Sequence, residues 1–467
     1  MGSGSVAEQM LRFARNMILA RLLAPMAFGT MAIALSSASL VDTLMNIGVG
    51  TAVIQNPRGG ERRYLNAGWW LSLARGLFIY AVIFTVAPWV SRFYGNPQLS
   101  ILLRVILLSV LFQGAMSAGT NFAIREMKFS KWAVINHGGA ICGVVLTVIL
   151  SFFIRDVWAL AIGYCAENVG RCTLSYLICP FLPSFSWDKE ATRDLLRFSK
   201  GVFGLAFLNF IFSRTDIFVL AKLYPATQLG LYVMAVNLVQ TPVSFIMDIQ
   251  GQTLLPALSQ VQGENGRVNR IFFQVASVLL LLGIPVLVFA SFCGHSVLTI
   301  VYGQRYAPAA ACFIVAAFVA LFNLANGQPT LVFFAKGFPH LHRTCVIITA
   351  TSMVLLIYPF TKWLGLVGGQ VASLVAILLG FLFQMVRLHR LTDLNLVQYG
   401  KILLQASGIS LAVALICLGA RSYSVLDRPI PNVSIGIAAC LFAYGISGWM
   451  LMRGNLKGLA PEIIRNP

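Results

Sequence analysis

The first apolar segment of the chain carries charged side chains at helical spacing. Within the stretch "EQMLRFARNMIL", Glu8, Arg12 and Arg15 follow an i, i+4, i+7 pattern, which places them on one stripe of a helix. Asn16 lies next to that stripe. A charge at the middle of a bilayer costs about 2.5–3.5 kcal/mol on insertion scales, so such a residue is expected to face a polar cavity or an opposite charge.

The chemistry that suits these side chains is the binding of phosphate. A guanidinium group donates to two phosphate oxygens at once, which a lysine ammonium group does not match. Arg12, Arg15 and Asn16 are therefore predicted to bind an anionic headgroup. The alternative is that Glu8 and Arg12 form an i,i+4 ion pair while Arg15 extends toward the membrane surface. Arg15 has no acidic residue three or four positions away, so it is the less easily neutralised of the two.

Other charged residues also fall inside apolar segments. Arg75 is predicted at mid-depth, either at the same cavity or paired with Asp42, and Arg214 is predicted as a second phosphate contact. Asp42 and Asp216 are the candidates for binding a coupling cation, although Asp216 could instead brace two helices. Together with Arg12, Arg15 and Asn16, these four residues complete the predicted set of site residues.

Composition identifies the class of protein. Only 10% of residues are charged, 58% are hydrophobic and the mean hydropathy is +0.81, whereas soluble domains carry roughly 25% charged residues. Apolar runs of about 20 residues recur along the chain, as in transmembrane helices. The nine cysteines include no CxxC pair, and no Walker, HExxH or GxSxG motif occurs. We therefore expect neither an enzyme nor a bound metal or cofactor.

The apolar runs predict an all-α polytopic membrane protein with about 14 transmembrane helices. The predicted spans are 3–23, 27–55, 65–90, 98–122, 130–154, 156–181, 197–222, 228–255, 269–293, 308–334, 342–362, 365–386, 402–420 and 432–452.

The basic residues predict the orientation of these spans. Twenty of the 34 Lys and Arg residues fall in loops on one side, eight fall on the other and six lie inside spans. By the positive-inside rule, both termini are expected in the cytoplasm. This distribution explains the net charge of +19 without nucleic acid as a partner.

The chain also contains an internal repeat. The segment "ILARLLAPMAFGTMAIA" (18–34) resembles "VLAKLYPATQLGLYVMA" (219–235) at an offset of 201 residues, and further matches follow at offsets of 208 and 210. The repeat predicts two pseudo-symmetric six-helix bundles followed by a helix pair. The expected divisions are 1–187, 188–390 and 391–467, and repeated halves are typical of transporters that bind substrate between them.

These segments resemble a known family. The opening "RNMILARLLAPMAFGTMAIALSSASLVDTLMNIGVGTAVIQNP" (15–57) and the segment "DIFVLAKLYPATQLGLYVMA" (216–235) are similar to the polysaccharide transporters of the multidrug/oligosaccharidyl-lipid/polysaccharide (MOP) superfamily, the Wzx-type oligosaccharide flippases. The resemblance implies a lipid-linked oligosaccharide on undecaprenyl diphosphate as substrate. The two phosphates of this substrate would contact Arg12 and Arg15. It also implies membrane lipid and a polysaccharide polymerase as partners, and we expect a monomer.

Three alternatives to this flippase remain at this point. A cation-coupled multidrug exporter needs an acidic cavity. The spans hold six basic and five acidic residues, so this balance does not decide between an exporter and a flippase. A lipid II flippase of peptidoglycan synthesis would share the architecture. A membrane-bound polymerase or ligase needs a large outer loop, and no predicted outer loop exceeds about a dozen residues.

Overall fold

The computed structural model describes residues 2–45, 49–56, 58–184, 188–199, 203–422 and 429–454. Within these ranges the chain is built from α-helices and contains no β-strand, which confirms the predicted all-α class. A short 3₁₀ helix, Gln304–Ala309, precedes α14. The helices are α1 (Gly2–Leu22), α2 (Pro25–Met45), α3 (Val49–Gln55), α4 (Arg62–Tyr94), α5 (Gln98–Ile106), α6 (Leu108–Gly114), α7 (Gly119–Arg125), α8 (Phe129–Phe153), α9 (Val157–Ile178), α10 (Lys189–Ser199), α11 (Phe203–Leu223), α12 (Ala226–Gln260), α13 (Asn265–Tyr302), α14 (Ala310–Ala335), α15 (Pro339–Leu364), α16 (Leu366–Thr392), α17 (Leu396–Ser422) and α18 (Pro429–Gly454).

Among the described residues, nine helices are long and apolar enough to cross a membrane, or ten if one bent pair forms a single span. The first helix, α1, is not one of them, and it carries four charges at Glu8, Arg12, Arg15 and Arg21. Its length of 21 residues is nevertheless that of a membrane-spanning helix. The protein is therefore a multi-pass membrane protein, and the count of fourteen spans stays a prediction.

The predicted span 98–122 is wrong as a single helix, because the structure divides it among α5, α6 and α7. The segment Gln98–Gly114 and the helix Gly119–Arg125 meet at an angle of 58°. At the break, the backbone N–H of Ser117 donates to Ser175 Oγ at 3.0 Å, and the Ser117 hydroxyl donates to the carbonyl of Cys179. Residues of α9 and its C-terminal cap thus replace the helical hydrogen bonds that are lost at the bend.

The two longest of the described helices extend well beyond the thickness of a bilayer. Helices α12 and α13 contain 35 and 38 residues. At 1.5 Å per residue they are about 52 and 57 Å long, against about 30 Å for the hydrocarbon core. The predicted spans 228–255 and 269–293 lie within these helices.

The chain forms two compact units, Met1–Val233 and Met234–Pro467. In the first unit, α2 packs against α5, α9 and α11, and α8 packs against α9. In the second, α13 packs against α14, α17 and α18, and α16 packs against α14 and α15. The boundary falls inside α12, so it differs from the repeat divisions at 187/188 and 390/391, which stay predictions about sequence repetition.

The matching segments of the repeat meet in the first unit. Gly29 of α2 and Gly230 of α12 approach so closely that a Cβ on Gly29 would overlap the carbonyl of Ala226, and a Cβ on Gly230 would overlap the carbonyl of Pro25. Gly29 and Gly230 are 201 residues apart, as are Pro25 and Ala226. The contact is therefore reciprocal and obeys the offset of the repeat.

The segment that follows the predicted division at 187/188, and so links the two predicted six-helix bundles, forms the short helix α10. Ala191 and Leu195 of α10 are buried against Tyr64 and Leu65 at the start of α4. Arg58 pairs with both Glu190 and Asp194 at 3.0 Å, and the Tyr64 hydroxyl donates to Asp194 at 2.9 Å. Apolar burial and ion pairs thus fix the link to the first unit.

Candidate anion-binding site

The candidate site is built on α1, which packs mainly against α8. Apolar residues bury the C-terminal end of α1, where Leu19 and, just beyond the helix, Leu23 are fully buried. Toward the N-terminus the stripe of Glu8, Arg12 and Arg15 replaces apolar side chains. Apolar packing thus fixes one end of α1, and polar contacts must position the other.

Small residues allow α9 to approach α8 closely enough to reach α1. A Cβ on Gly143 would lie 2.5 Å from Glu167 Cβ, and a Cβ on Gly139 would overlap the side chain of Arg171. On α9, a Cβ on Gly163 would overlap the side chain of Thr147. Because these glycines have no side chains, α9 lies close enough to α8 for Glu167 to reach Arg12 of α1.

The centre of the site is Arg12, which binds two carboxylates. Its Nη2 lies 2.6 Å from Glu167 Oε1 and its Nη1 lies 3.5 Å from Glu167 Oε2. Its Nε lies 2.9 Å from Glu8 Oε1. Glu167 also binds Arg171, with Nη2 2.6 Å from Oε1. The Glu8–Arg12 ion pair that the sequence offered as an alternative is therefore present, and Arg12 joins it to the second i,i+4 pair, Glu167–Arg171.

A histidine closes the other end of the network. Nδ1 of His137 on α8 lies 2.6 Å from Glu8 Oε2. The side chain of Glu167 is 6% exposed, whereas those of Glu8 and His137 are 20% and 22% exposed. Glu8 and His137 are therefore the titratable pair at the accessible side, and Glu167 is the buried anchor.

Arg15 has different surroundings from Arg12. Its Nε and Nη2 lie 3.3 and 3.1 Å from Oδ1 of its neighbour Asn16. Within the part of the chain that the structure describes, Arg15 has no carboxylate within 4.0 Å. A neutral amide oxygen leaves the charge of Arg15 uncompensated, so this guanidinium retains the capacity to bind an anion.

We call Glu8, Arg12, Arg15, His137, Glu167 and Arg171 the α1 charge cluster. Its three arginines exceed its two glutamates by one positive charge when His137 is neutral and by two when His137 is protonated. A positive group enclosed by helices attracts anions more strongly than one in water, because the effective dielectric constant is lower. The chemistry available to this cluster is therefore anion binding.

The remaining predicted residues are distributed over other helices. Arg75 lies on α4 and Arg214 lies on α11, so three helices of the first unit contribute the predicted cationic residues. Both side chains are half-buried. The side chain of Asp42 lies outside the described residues, so its pairing with Arg75 and its role as a cation ligand stay predictions.

Asp216 is fully enclosed where α11 meets α12. Its Oδ2 accepts a hydrogen bond from the Tyr232 hydroxyl at 2.6 Å, and its Oδ1 accepts from the backbone N–H of Ile217 at 2.8 Å. Both oxygens therefore have donors already, which fits a brace between two helices. Its role as a coupling-ion ligand stays a prediction.

Sequence reasoning missed the partners that come from distant parts of the chain. Glu8–Arg12 and Glu167–Arg171 are visible as i,i+4 pairs, but the contact of Arg12 with Glu167 joins residues 155 positions apart. His137 and Glu8 are 129 positions apart, and nothing in the spacing of the sequence signals that contact. The glycines of α8 and α9 were the available sign that these helices pack closely.

Among known families, the model described as "Polysaccharide biosynthesis protein" matches residues 18–311. The succinoglycan biosynthesis transport protein ExoT of Rhizobium meliloti (strain 1021) is 23% identical over 64% of this chain and 60% of its own length. The lipopolysaccharide biosynthesis protein WzxC of Escherichia coli (strain K12) is 22% identical over 78% of this chain and 73% of its own. The teichuronic acid biosynthesis protein TuaB of Bacillus subtilis (strain 168) is 23% identical over 80% of this chain and 78% of its own.

Solved structures resemble the fold of this chain. The lipid II flippase MurJ in an inward closed conformation matches with a TM-score of 0.77 over 96% of this chain and 99% of its own, at 13% identity. An inward-facing multidrug resistance transporter of the MATE family of the MOP superfamily matches with a TM-score of 0.64 over 84% of this chain and 99% of its own, at 15% identity. At these identities the likeness establishes the fold and not the substrate.

Proposed function

Because this chain belongs to the polysaccharide biosynthesis protein family and has the fold of MOP superfamily transporters, we propose that it is a flippase for oligosaccharide units linked to undecaprenyl diphosphate. It accepts the unit at the cytoplasmic face of a bacterial inner membrane and releases it outside for the assembly of a surface polysaccharide. The chemical bonds of the substrate do not change, so the protein acts as a transporter and not as an enzyme.

The observation that carries this proposal is the uncompensated charge of Arg15 beside the paired Arg12. The diphosphate is the charged part shared by every substrate of this class, and a guanidinium matches its oxygens. The two carboxylates of the cluster are each bound by arginine. That arrangement disfavours a cationic drug, which would need an available carboxylate, and we therefore set the multidrug-exporter alternative second.

Arg12 and Asn16 support Arg15 in this role. Arg12 keeps one face of the site positive, and Asn16 orients the Arg15 guanidinium through its Oδ1. Arg75 and Arg214 are proposed as further phosphate contacts from α4 and α11. Asp42 and Asp216 are proposed as coupling-ion residues, with Asp42 the first to test because Asp216 already binds Tyr232 and Ile217.

The proposal extends to topology and partners. We place both termini in the cytoplasm, because the basic loops fall on their side. We expect the protein to act as a monomer, and we expect a polysaccharide polymerase to consume the exported unit. The sugar repeat is read by parts of the cavity other than the charge cluster, since the diphosphate is common to all such substrates.

The test is ligand-induced stabilisation of the purified protein by undecaprenyl diphosphate. Binding raises the unfolding midpoint in proportion to RT ln(1 + [L]/Kd). Arg15→Ala is expected to raise Kd by about tenfold or more, since a charge-assisted hydrogen bond contributes about 1.5–3 kcal/mol. Arg15→Lys should recover only part of the affinity, because lysine lacks the two-point geometry.

A matched control is Arg104→Gln. Arg104 is another arginine of the first unit, but its guanidinium carbon lies 4.3 Å above the ring of Phe84, outside the cluster. Its substitution should leave the ligand-induced shift unchanged. Equal shifts for wild type and Arg15→Ala would remove Arg15 from the phosphate site, and stabilisation by cationic dyes with none by the diphosphate would favour a drug exporter.

A further inference from the structure

The Glu8–His137 pair occupies a position in the cluster that phosphate binding does not itself require. Glu8 uses one oxygen to bind Arg12 and the other to bind His137, at 2.9 and 2.6 Å. His137 is the group of the cluster whose ordinary pKa lies nearest neutrality. A carboxylate that shares a short hydrogen bond with an imidazole is a site at which a proton can be held.

Arg12 links this pair to the anion site. In the structure all the described contacts of its guanidinium go to Glu8 and Glu167. A diphosphate that binds Arg12 in a two-point manner must compete with these carboxylates, because Glu167 occupies the edge formed by Nη1 and Nη2 and Glu8 occupies Nε. Substrate binding therefore weakens at least one of the two carboxylate contacts.

The two carboxylates respond differently to that loss. Glu167 keeps Arg171 at 2.6 Å when Arg12 turns to phosphate, so its charge stays compensated. Glu8 has no second arginine among the described residues and keeps His137 alone. A carboxylate that loses its cation in a partly buried site favours protonation, and a neighbouring anion favours the charged form of imidazole.

We propose that the Glu8–His137 pair is a proton-binding site that fills when the α1 arginines bind a diphosphate, so that substrate binding and proton uptake are linked. The charged groups that face the pair are Arg12 and Arg15 from α1 and Glu167 and Arg171 from α9, while α8 supplies His137. This linkage rests on the proposed function, because it requires that the diphosphate binds at α1.

The test is calorimetric titration of the full-length protein with a prenyl diphosphate N-acetylglucosamine. Both phosphates of this probe are esterified at their outer ends, so its charge is fixed near neutral pH and any proton taken up belongs to the protein. Titration in two buffers of different ionisation enthalpy gives the number of protons. We expect uptake approaching one proton, with Kd falling up to about tenfold per unit decrease in pH between about pH 7.5 and pH 6.

Variants assign the proton to the pair. His137→Asn keeps a polar group near the position of Nδ1 without titrating in this range, so the pH dependence of Kd should flatten. Glu8→Gln removes the carboxylate and should abolish uptake. His340→Asn is the matched control, since His340 is an exposed histidine of α15 in the second unit. This variant should take up the same number of protons as wild type.

The outcomes separate the two proposals. Absence of probe binding by wild type overturns the proposed function. Binding with a Kd independent of pH and no proton uptake overturns the linkage and leaves the function intact. Uptake that persists undiminished in both Glu8→Gln and His137→Asn overturns the assignment to this pair. The wild-type measurement is decisive on linkage even if a variant fails to fold.

Discussion

Arg12 and Arg15 lie three residues apart on one helix, but their contacts differ. Arg12 is bound by Glu8 and Glu167, while Arg15 rests on the amide oxygen of Asn16. Arg12 anchors α1 to α9 and binds phosphate only in competition with these carboxylates, whereas Arg15 has no such competitor among the described residues. The structure thus contains the Glu8–Arg12 ion pair that the sequence offered as the alternative, and phosphate binding by Arg15 stays a prediction.

Glu167 is the residue whose loss should separate stability from affinity. Glu167→Gln removes the carboxylate that binds Arg171. It also removes one of the two carboxylates that bind Arg12. Breaking a buried ion pair on one side costs about 3–5 kcal/mol, so the unfolding midpoint should fall. The affinity for undecaprenyl diphosphate should rise instead, because Arg12 no longer faces the competing anion.

Thermal unfolding without ligand and ligand titration on the same Glu167→Gln sample check the two effects. Arg171→Gln serves as the comparison, since it removes a cation from Glu167 but leaves the Arg12 contacts in place. A loss of affinity in Glu167→Gln that parallels its loss of stability would mean that Glu167 orients the arginines and does not compete with the phosphate.

The cluster depends on how closely two neighbouring helices pack. Hydropathy and periodicity report that α8 and α9 are apolar helices, and the predicted spans 130–154 and 156–181 match their positions. They do not report that Glu167 reaches α1, because that contact depends on which faces of three helices meet. The same limit explains the missed bend before α7, where hydrogen bonds from Ser117 to α9 compensate the broken helix.

Gly143 is the point at which helix packing controls the site. A Cβ at this position would lie 2.5 Å from Glu167 Cβ and 3.0 Å from Glu167 Cα. Gly143→Ala should therefore move α9 away from α8, with a loss of about 1–3 kcal/mol in stability from overpacking. Because Glu167 moves with α9, its contact with Arg12 should lengthen and diphosphate affinity should change with it.

Unfolding midpoints and ligand titrations measure both consequences of Gly143→Ala. The control is Gly408→Ala on α17, where an added Cβ meets no atom within 4 Å; alanine there should be neutral or stabilising by up to about 1 kcal/mol. If Gly143→Ala behaves like Gly408→Ala, the close approach of α8 and α9 does not position Glu167.

At the scale of the whole molecule, the internal repeat connects sequence to architecture. The offset of 201 residues predicts that equivalent helices from the two halves are related by an axis along the membrane normal. Two equivalent helices that meet near such an axis must contact each other through equivalent positions. Pro25 with Gly29 on α2 and Ala226 with Gly230 on α12 satisfy this requirement, because each glycine faces the other segment's carbonyl.

The reciprocity of this contact can be measured. Gly29→Ala and Gly230→Ala each place a methyl group against a backbone carbonyl, which cannot rotate away as a side chain would. Each should destabilise the protein by about 1–3 kcal/mol. If the pseudo-symmetric relation holds, the two losses should agree within about 0.5 kcal/mol, and the double variant should lose less than their sum, because the first methyl group already separates the helices.

Chemical unfolding in mixed detergent micelles gives the three free energies of this cycle. Gly251→Ala is the matched control, because Gly251 lies on the same helix as Gly230 but an added Cβ there meets no atom within 4 Å. A strong loss from one glycine with none from the other, or losses that add fully in the double variant, would show that the two positions do not share one contact. The repeat would then reflect only the ancestry of the sequence, and the folded protein would have no symmetric contact between α2 and α12.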